Sequence, residues 1–130
     1  MGRNGSSGLG LIVNRGEVWK VDLDPAKGTE IKKKRSCVII SANHLNKWGY
    51  RFVVVPLTSK KVNQIFPFEV PIFFKGKKSK ALCDQIRTVD RSRLIKTKQG
   101  RLTSAEMDDI QEKLLATFDL WEYLKKRELV

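Results

Sequence analysis

KGTEIKKKRSCVIIS, residues 27–41, passes within a few positions from a charged loop to an apolar run. Glu30 is the lone acid before the switch, among Lys27, Lys32, Lys33, Lys34 and Arg35, and Val38, Ile39 and Ile40 follow it. A short β-branched run bounded by polar residues reads as a buried strand. Arg35 then stands at the mouth of a core strand, with a rigid base beneath it and solvent above, a setting suited to holding a phosphate. The plainer reading of the same residues is a solvated loop that keeps an apolar strand soluble.

Working outward, EVWKVDL at 17–23 alternates Val18, Lys20 and Asp22 with Trp19, Val21 and Leu23, which predicts a half-buried first strand that Asp24-Pro25 ends. Downstream, 41–49 is a polar connection, and RFVVVPL at 51–57 is a strand whose Pro56 predicts a sheet edge or a bulge. Thr58 and Ser59 stand at its exit. Residues 66–74 hold two prolines but alternate Phe68, Val70 and Ile72, which predicts an interrupted edge strand. A basic turn over 76–80 leads to another strand, ALCDQIRTV at 81–89. Several short strands with no helices between them predict a mostly β fold, a small, strongly curved antiparallel barrel. One helix over 104–124 closes the chain. Thr103 and Glu106 form its capping box, and Met107, Ile110, Leu114, Phe118 and Trp121 form a stripe read as core packing. The expected organisation is a disordered extension over 1–12, one domain over 13–125 and a short tail over 126–130.

The formal charge of +12 is unevenly spread. Residues 25–101 carry 19 Lys and Arg against 4 Asp and Glu, whereas residues 102–124 carry one Lys against six acids. A basic middle beside an acidic final helix points to a polyanionic partner, nucleic acid ahead of membrane, because no basic amphipathic helix accompanies it. Cys37 and Cys83 lie in apolar, strand-like sequence and read as reduced core residues. With no signal peptide and no apolar run near the roughly 20 residues a membrane span needs, a cytoplasmic protein is expected. Asp22 and Asp24 form a D-x-D without a further acid cluster, so no metal site and no cofactor are expected. His44 is a lone surface histidine. Trp48 and Tyr50, beside Lys47 and Arg51, fit either a base-stacking platform or a loop packed on the barrel.

Four segments in order, RGEVWKVDLDPAKGTE at 15–30, R-x-C-V-I-I from Arg35, VVVPLTS at 53–59 and LCDQIRTVD at 82–90, followed by a single C-terminal helix, resemble the MazF/PemK (Kid-type) toxins of type II toxin–antitoxin modules. The resemblance implies an SH3-like barrel that forms a homodimer, cleaves single-stranded RNA without a metal, and is neutralised by an acidic antitoxin. It also implies site residues. Arg35 and Thr58 match the family's catalytic arginine and threonine, Glu30 the acid of its G-x-E loop, and Asp84 an aspartate used by one branch. Thr29, Lys32, Lys34, Ser59, Gln85 and Arg87 are expected to line the RNA groove. Two positions depart from the pattern: Ser36 stands where proline is usual, removing a fixed φ, and Leu82 stands where the aspartate-using branch has arginine. The second departure favours a scheme built on Arg35 and Thr58. A gyrase-binding toxin of the same barrel and a passive RNA-binding barrel are the alternatives.

The chemistry such a site must perform is set by the substrate. The ribose 2′-OH can attack the adjacent phosphate, leaving a 2′,3′-cyclic phosphate and a 5′-OH. A group must take the 2′ proton, others must hold charge on the pentacoordinate phosphorus, and one must protonate the departing 5′ oxygen. Arginine stays protonated, so its part is a bidentate clamp on phosphate oxygens, and a threonine hydroxyl can add one more donor.

Overall fold

Cys37 and Val38 point to opposite faces of one strand, and both are fully buried. The apolar run is continuous because the sheet has a core on each side. The computed structural model describes residues 11–130, and the extension expected over 1–12 lies, through residue 10, outside the described residues. Among the described residues seven strands form one sheet: β1 (Glu17–Asp22), β2 (Lys34–Ile39), β3 (Arg51–Thr58), β4 (Glu69–Phe74), β5 (Lys77–Leu82), β6 (Arg87–Asp90) and β7 (Leu94–Arg101). All pairings are antiparallel, in the order β4-β5-β3-β2-β1-β7, with β6 alongside β3. Helices α1 (Asn43–Asn46), α2 (Ser104–Thr117) and α3 (Trp121–Lys126) complete the fold.

The sheet curls into a half-barrel. One core joins Val18, Val38, Val55, Leu57, Val70 and Ile72 to Met107 and Ile110 of α2. The other gathers Val13, Trp19, Val21, Cys37, Ile39, Phe52 and Val54 with Val89 and Leu94. β1 is therefore buried on both faces over Val18 and Trp19 instead of half-buried. Cys37 and Cys83 are free and sit in different cores, and burial pushes both thiols up to about 12, so neither is a nucleophile near neutral pH.

Three elements differ from the sequence reading. Pro56 lies in the central strand, not at an edge: β3 pairs with β6 through Val54 and with β5 from Leu57, and the proline falls in the gap between them, so on that side its missing N–H breaks no ladder, while β2 pairs it with Cys37 on the other. The strand expected over 81–89 is broken by a 3-10 turn at Cys83–Gln85, and the basic "turn" over 76–80 is mostly β5. The turn itself is Lys75-Gly76, both at positive φ. The C-terminal helix ends at Thr117, because Asp119 adopts a left-handed conformation and α3 starts anew. Met107 and Ile110 of the stripe are buried and Leu114 packs half-buried against the same core, whereas Phe118 is 54% exposed. The capping box is present, and the second Glu106 oxygen also accepts from the backbone N–H of Phe73 on edge strand β4.

Glu17 is a buried acid within this frame. Burial raises its pKa, but donation from the Asn14 backbone, Trp19 Nε1 and Lys98 Nζ outweighs that and holds it below the ordinary value of 4.5. A depressed carboxylate contributes stability that is fully present above the unfolded-state value and lost as pH falls through the folded-state value. Glu17→Ala should cost about 1–3 kcal/mol at pH 7 by orphaning the Trp19 N–H. The difference from the parent should shrink in urea melts below pH 4.5, and a deficit that does not vary with pH would exclude this origin.

Candidate active site

The β2–β3 register pairs Cys37 with Pro56. Carried two residues further, it sets Arg35 across from Thr58, and the two line one cavity of about 410 Å³. Its walls bring together Lys20, Lys34, Arg35, Lys75 and Lys77 with the hydroxyls of Ser36, Thr58, Ser59 and Ser79. Among the described residues no carboxylate lines it. Five cations and three hydroxyls without a committed proton, those of Thr58, Ser59 and Ser79, around an open, half-buried cleft form a site for a phosphate-bearing ligand, because each can donate to an anionic oxygen.

Arg35 is half-buried and donates from Nε to the Lys32 carbonyl at 2.9 Å, which fixes the root of the guanidinium against its own loop. Thr58 Oγ1 accepts from the Lys60 backbone N–H at 3.2 Å, so its own proton is free to be donated. Ser36, in place of the family's proline, donates to Gln99 Oε1 at 2.7 Å across β1. That bond ties down the residue after Arg35 by a route other than a fixed φ. Gly100, at φ +149°, leaves room for the Phe74 ring, which a Cβ would meet at 3.2 Å. Phe74 in turn forms part of the cavity wall.

A second cavity of about 720 Å³ is bordered by Thr29, Glu30, Ile31, Phe66, Phe68, Glu69, Asp84, Gln85 and Arg87 among others. Glu30 Oε1 accepts from the Lys27 backbone at 2.7 Å. Gln85 Oε1 accepts from the Ile31 N–H at 2.6 Å, pinning the loop to the 3-10 turn. Arg87 donates to the Leu23 carbonyl at 3.2 Å. Partial burial, reinforced by Glu69, raises the Asp84 carboxyl above its ordinary value despite an opposing backbone hydrogen bond. Phe66 and Phe68 stack with ring centres 5.7 Å apart.

The sequence-predicted residues thus fall into two groups. Arg35, Thr58, Lys34 and Ser59 share the cationic cavity, whereas Thr29, Glu30, Asp84, Gln85 and Arg87 share the second. Lys32 is exposed on the intervening loop and contributes its carbonyl to Arg35. Sequence reasoning missed Lys20, Lys75, Lys77 and Ser79. Lys20 was legible as the polar side of an alternating strand, and its register partner is Ser36. Asp22 and Asp24 accept from the Asp24 and Lys33 backbones and so serve the loop. Trp48 and Tyr50 are exposed at a further cavity that shares no lining residue with these two. Among the described residues no helix is long and apolar enough to cross a membrane.

A family model described as PemK-like, MazF-like toxin of type II toxin-antitoxin system matches residues 14–118. The chain is 34% identical to the endoribonuclease MazF9 of Mycobacterium tuberculosis, with 85% of this chain and 99% of that protein aligned. Among solved structures it is similar to MazF from Deinococcus radiodurans, with a TM-score of 0.74, 21% identity, and coverage of 84% of this chain and 98% of that one. It is also similar to a mycobacterial endoribonuclease in complex with its cognate antitoxin, with a TM-score of 0.68, 24% identity, and coverage of 83% and 96%. The expected barrel topology agrees with the fold of these structures.

Proposed function

Because this chain belongs to the PemK-like, MazF-like toxin family of type II toxin–antitoxin systems, we propose that it is a cytoplasmic endoribonuclease toxin that cleaves single-stranded RNA by attack of the 2′-OH on the adjacent phosphate. The observation that carries this reading is the carboxylate-free cavity that holds Arg35 and Thr58 together. Arg35 clamps two phosphate oxygens as charge grows on phosphorus, and Thr58 donates to the same group. Glu30 and Asp84, the carboxylates expected to act as base, line the second cavity, so solvent water in the open cleft takes the 2′ proton and a proton returns from it to the departing 5′ oxygen. The nucleophile is the substrate's own hydroxyl, so the step calls for no metal or cofactor. The decisive experiment is incubation of purified protein with single-stranded RNA in EDTA. Products ending in 2′,3′-cyclic phosphate and 5′-OH are expected, whereas no cutting, or cutting that requires Mg²⁺, would refute the scheme.

The partners follow from the same charges. An acidic antitoxin segment competes with RNA for the five cations of the cavity, and the toxin acts as a homodimer. Binding of single-stranded RNA should weaken with salt at a log–log slope of about −3 if four or five of these cations meet phosphates. Fluorescence anisotropy from 50 to 300 mM salt measures it, and a flat response would point to an apolar docking site.

A further inference from the structure

Gln99 is left out of the β1–β7 ladder. Val18 of β1 faces Gly100 of β7 and Trp19 faces Lys98, so one step along β1 spans two along β7, and Gln99 is the extra residue of a β-bulge. A bulge frees a residue from pairing and re-aims its side chain, and bulges collect beside active sites. Here the side chain crosses β1, which lies between β7 and β2, and its Oε1 accepts from the Ser36 hydroxyl at 2.7 Å. Both residues are half-buried, and both line the cationic cavity. The next residue, Gly100, leaves the space that Phe74 fills in the wall of the same cavity.

The mouth of β2 needs such a tether. Its ladder with β3 covers residues 37–39, so among the described residues Lys34, Arg35 and Ser36 pair with β1 alone. The Arg35 guanidinium is held by its Nε bond to the Lys32 carbonyl, a group of the adjoining loop. Proline would stiffen position 36 through its fixed φ, and serine lacks that constraint. We propose that Gln99 is a positioning residue for RNA cleavage: its bond to Ser36 takes the place of the fixed φ and holds the strand mouth, and with it Arg35, at the cavity shared with Thr58. An arginine displaced by about 1 Å still attracts RNA but no longer meets the reacting phosphate squarely. The inference rests on the ribonuclease reading and deepens it, by adding to Arg35 and Thr58 a residue of β7, a strand outside the segments that mark the family.

The test is steady-state cleavage of single-stranded RNA in EDTA by the parent chain, Ser36→Ala, Gln99→Ala and the double variant, with urea denaturation of each. In either single variant kcat should fall by roughly tenfold to a hundredfold, whereas KM should hold because the cations of the cavity remain. The double variant should lose no more than a single one, since each change removes the same bond. Ser36→Thr, which keeps the hydroxyl, should recover most of the rate that Ser36→Ala loses. A parent that cuts RNA while both single variants match it, or losses that multiply in the double variant, overturns the positioning role and leaves the nuclease standing. A raised KM at unchanged kcat in Gln99→Ala also overturns it, by showing that the amide meets the RNA directly. So does a fall in kcat that follows a loss of fold, which would assign the bond to stability. A parent that cuts nothing overturns the ribonuclease reading itself.

Discussion

Arg35→Ala should lower the rate of RNA cleavage by about a hundredfold to a thousandfold while leaving the fold intact. The side chain is half-buried at the rim of the cationic cavity, and its hydrogen bond to protein is the one from Nε to the Lys32 carbonyl. Its loss therefore orphans a single solvent-accessible acceptor, a cost within the range of ordinary surface substitutions. The catalytic loss is larger because nothing else in the cavity can place two parallel N–H donors on a phosphate: the four other cations are lysines, which act as point charges. For the same reason Arg35→Lys should recover charge-dependent RNA binding but little of the rate. Single-turnover cleavage in EDTA, alongside urea denaturation, separates the two effects. A variant that folds and cuts at the parental rate would remove Arg35 from the mechanism.

Lys80→Met should destabilise the protein by about 3–5 kcal/mol. Lys80 and Glu69 pair at 2.8 Å with both side chains about 95% shielded from solvent, and Lys80 Nζ also donates to the Gln64 carbonyl at 2.9 Å. Removing one partner leaves an uncompensated charge in a low-dielectric site. Removing both, as in Lys80→Met with Glu69→Leu, spares that penalty and should restore most of the stability. The single variant would consume a large part of the about 5–15 kcal/mol that domains of this kind possess. Function is coupled to the same pair. Lys80 is the register partner of Thr58 and anchors the 59–68 loop, which starts in the cationic cavity and ends in the second cavity. Equilibrium unfolding of the two single variants and the double variant tests the account. Equal losses in single and double variants would show that packing, not charge, sets the cost.

Lys80 also illustrates what a sequence conceals. In the run KGKKSK it looks like one more solvated cation of a basic turn, and no local pattern distinguishes it from its exposed neighbours Lys77 and Lys78. Burial came from Glu69, eleven residues away on the paired strand, where the β4–β5 register brings Glu69 opposite Leu82 and within reach. β7 was hidden for a related reason. It buries Leu94 but keeps Lys98 and Arg101 on the surface, so it shows no apolar period, and its pairing with β1 is what makes it a strand. The capping box at Thr103 was legible because both partners lie within one helical turn.

By itself the sequence determined the features that short-range chemistry encodes: the buried β2 run behind Arg35, the start of α2 at Thr103, the basic middle of the chain, and the ordered motifs that mark the family. Tertiary structure alone decided that Arg35 and Thr58 face one cavity while Glu30 and Asp84 face another, and that a lysine of a basic run lies buried against Glu69. Alternation and capping depend on residues a few positions apart. The assembly of a site depends on strand register across a curled sheet, which brings together residues tens of positions apart and leaves no periodic trace in the chain.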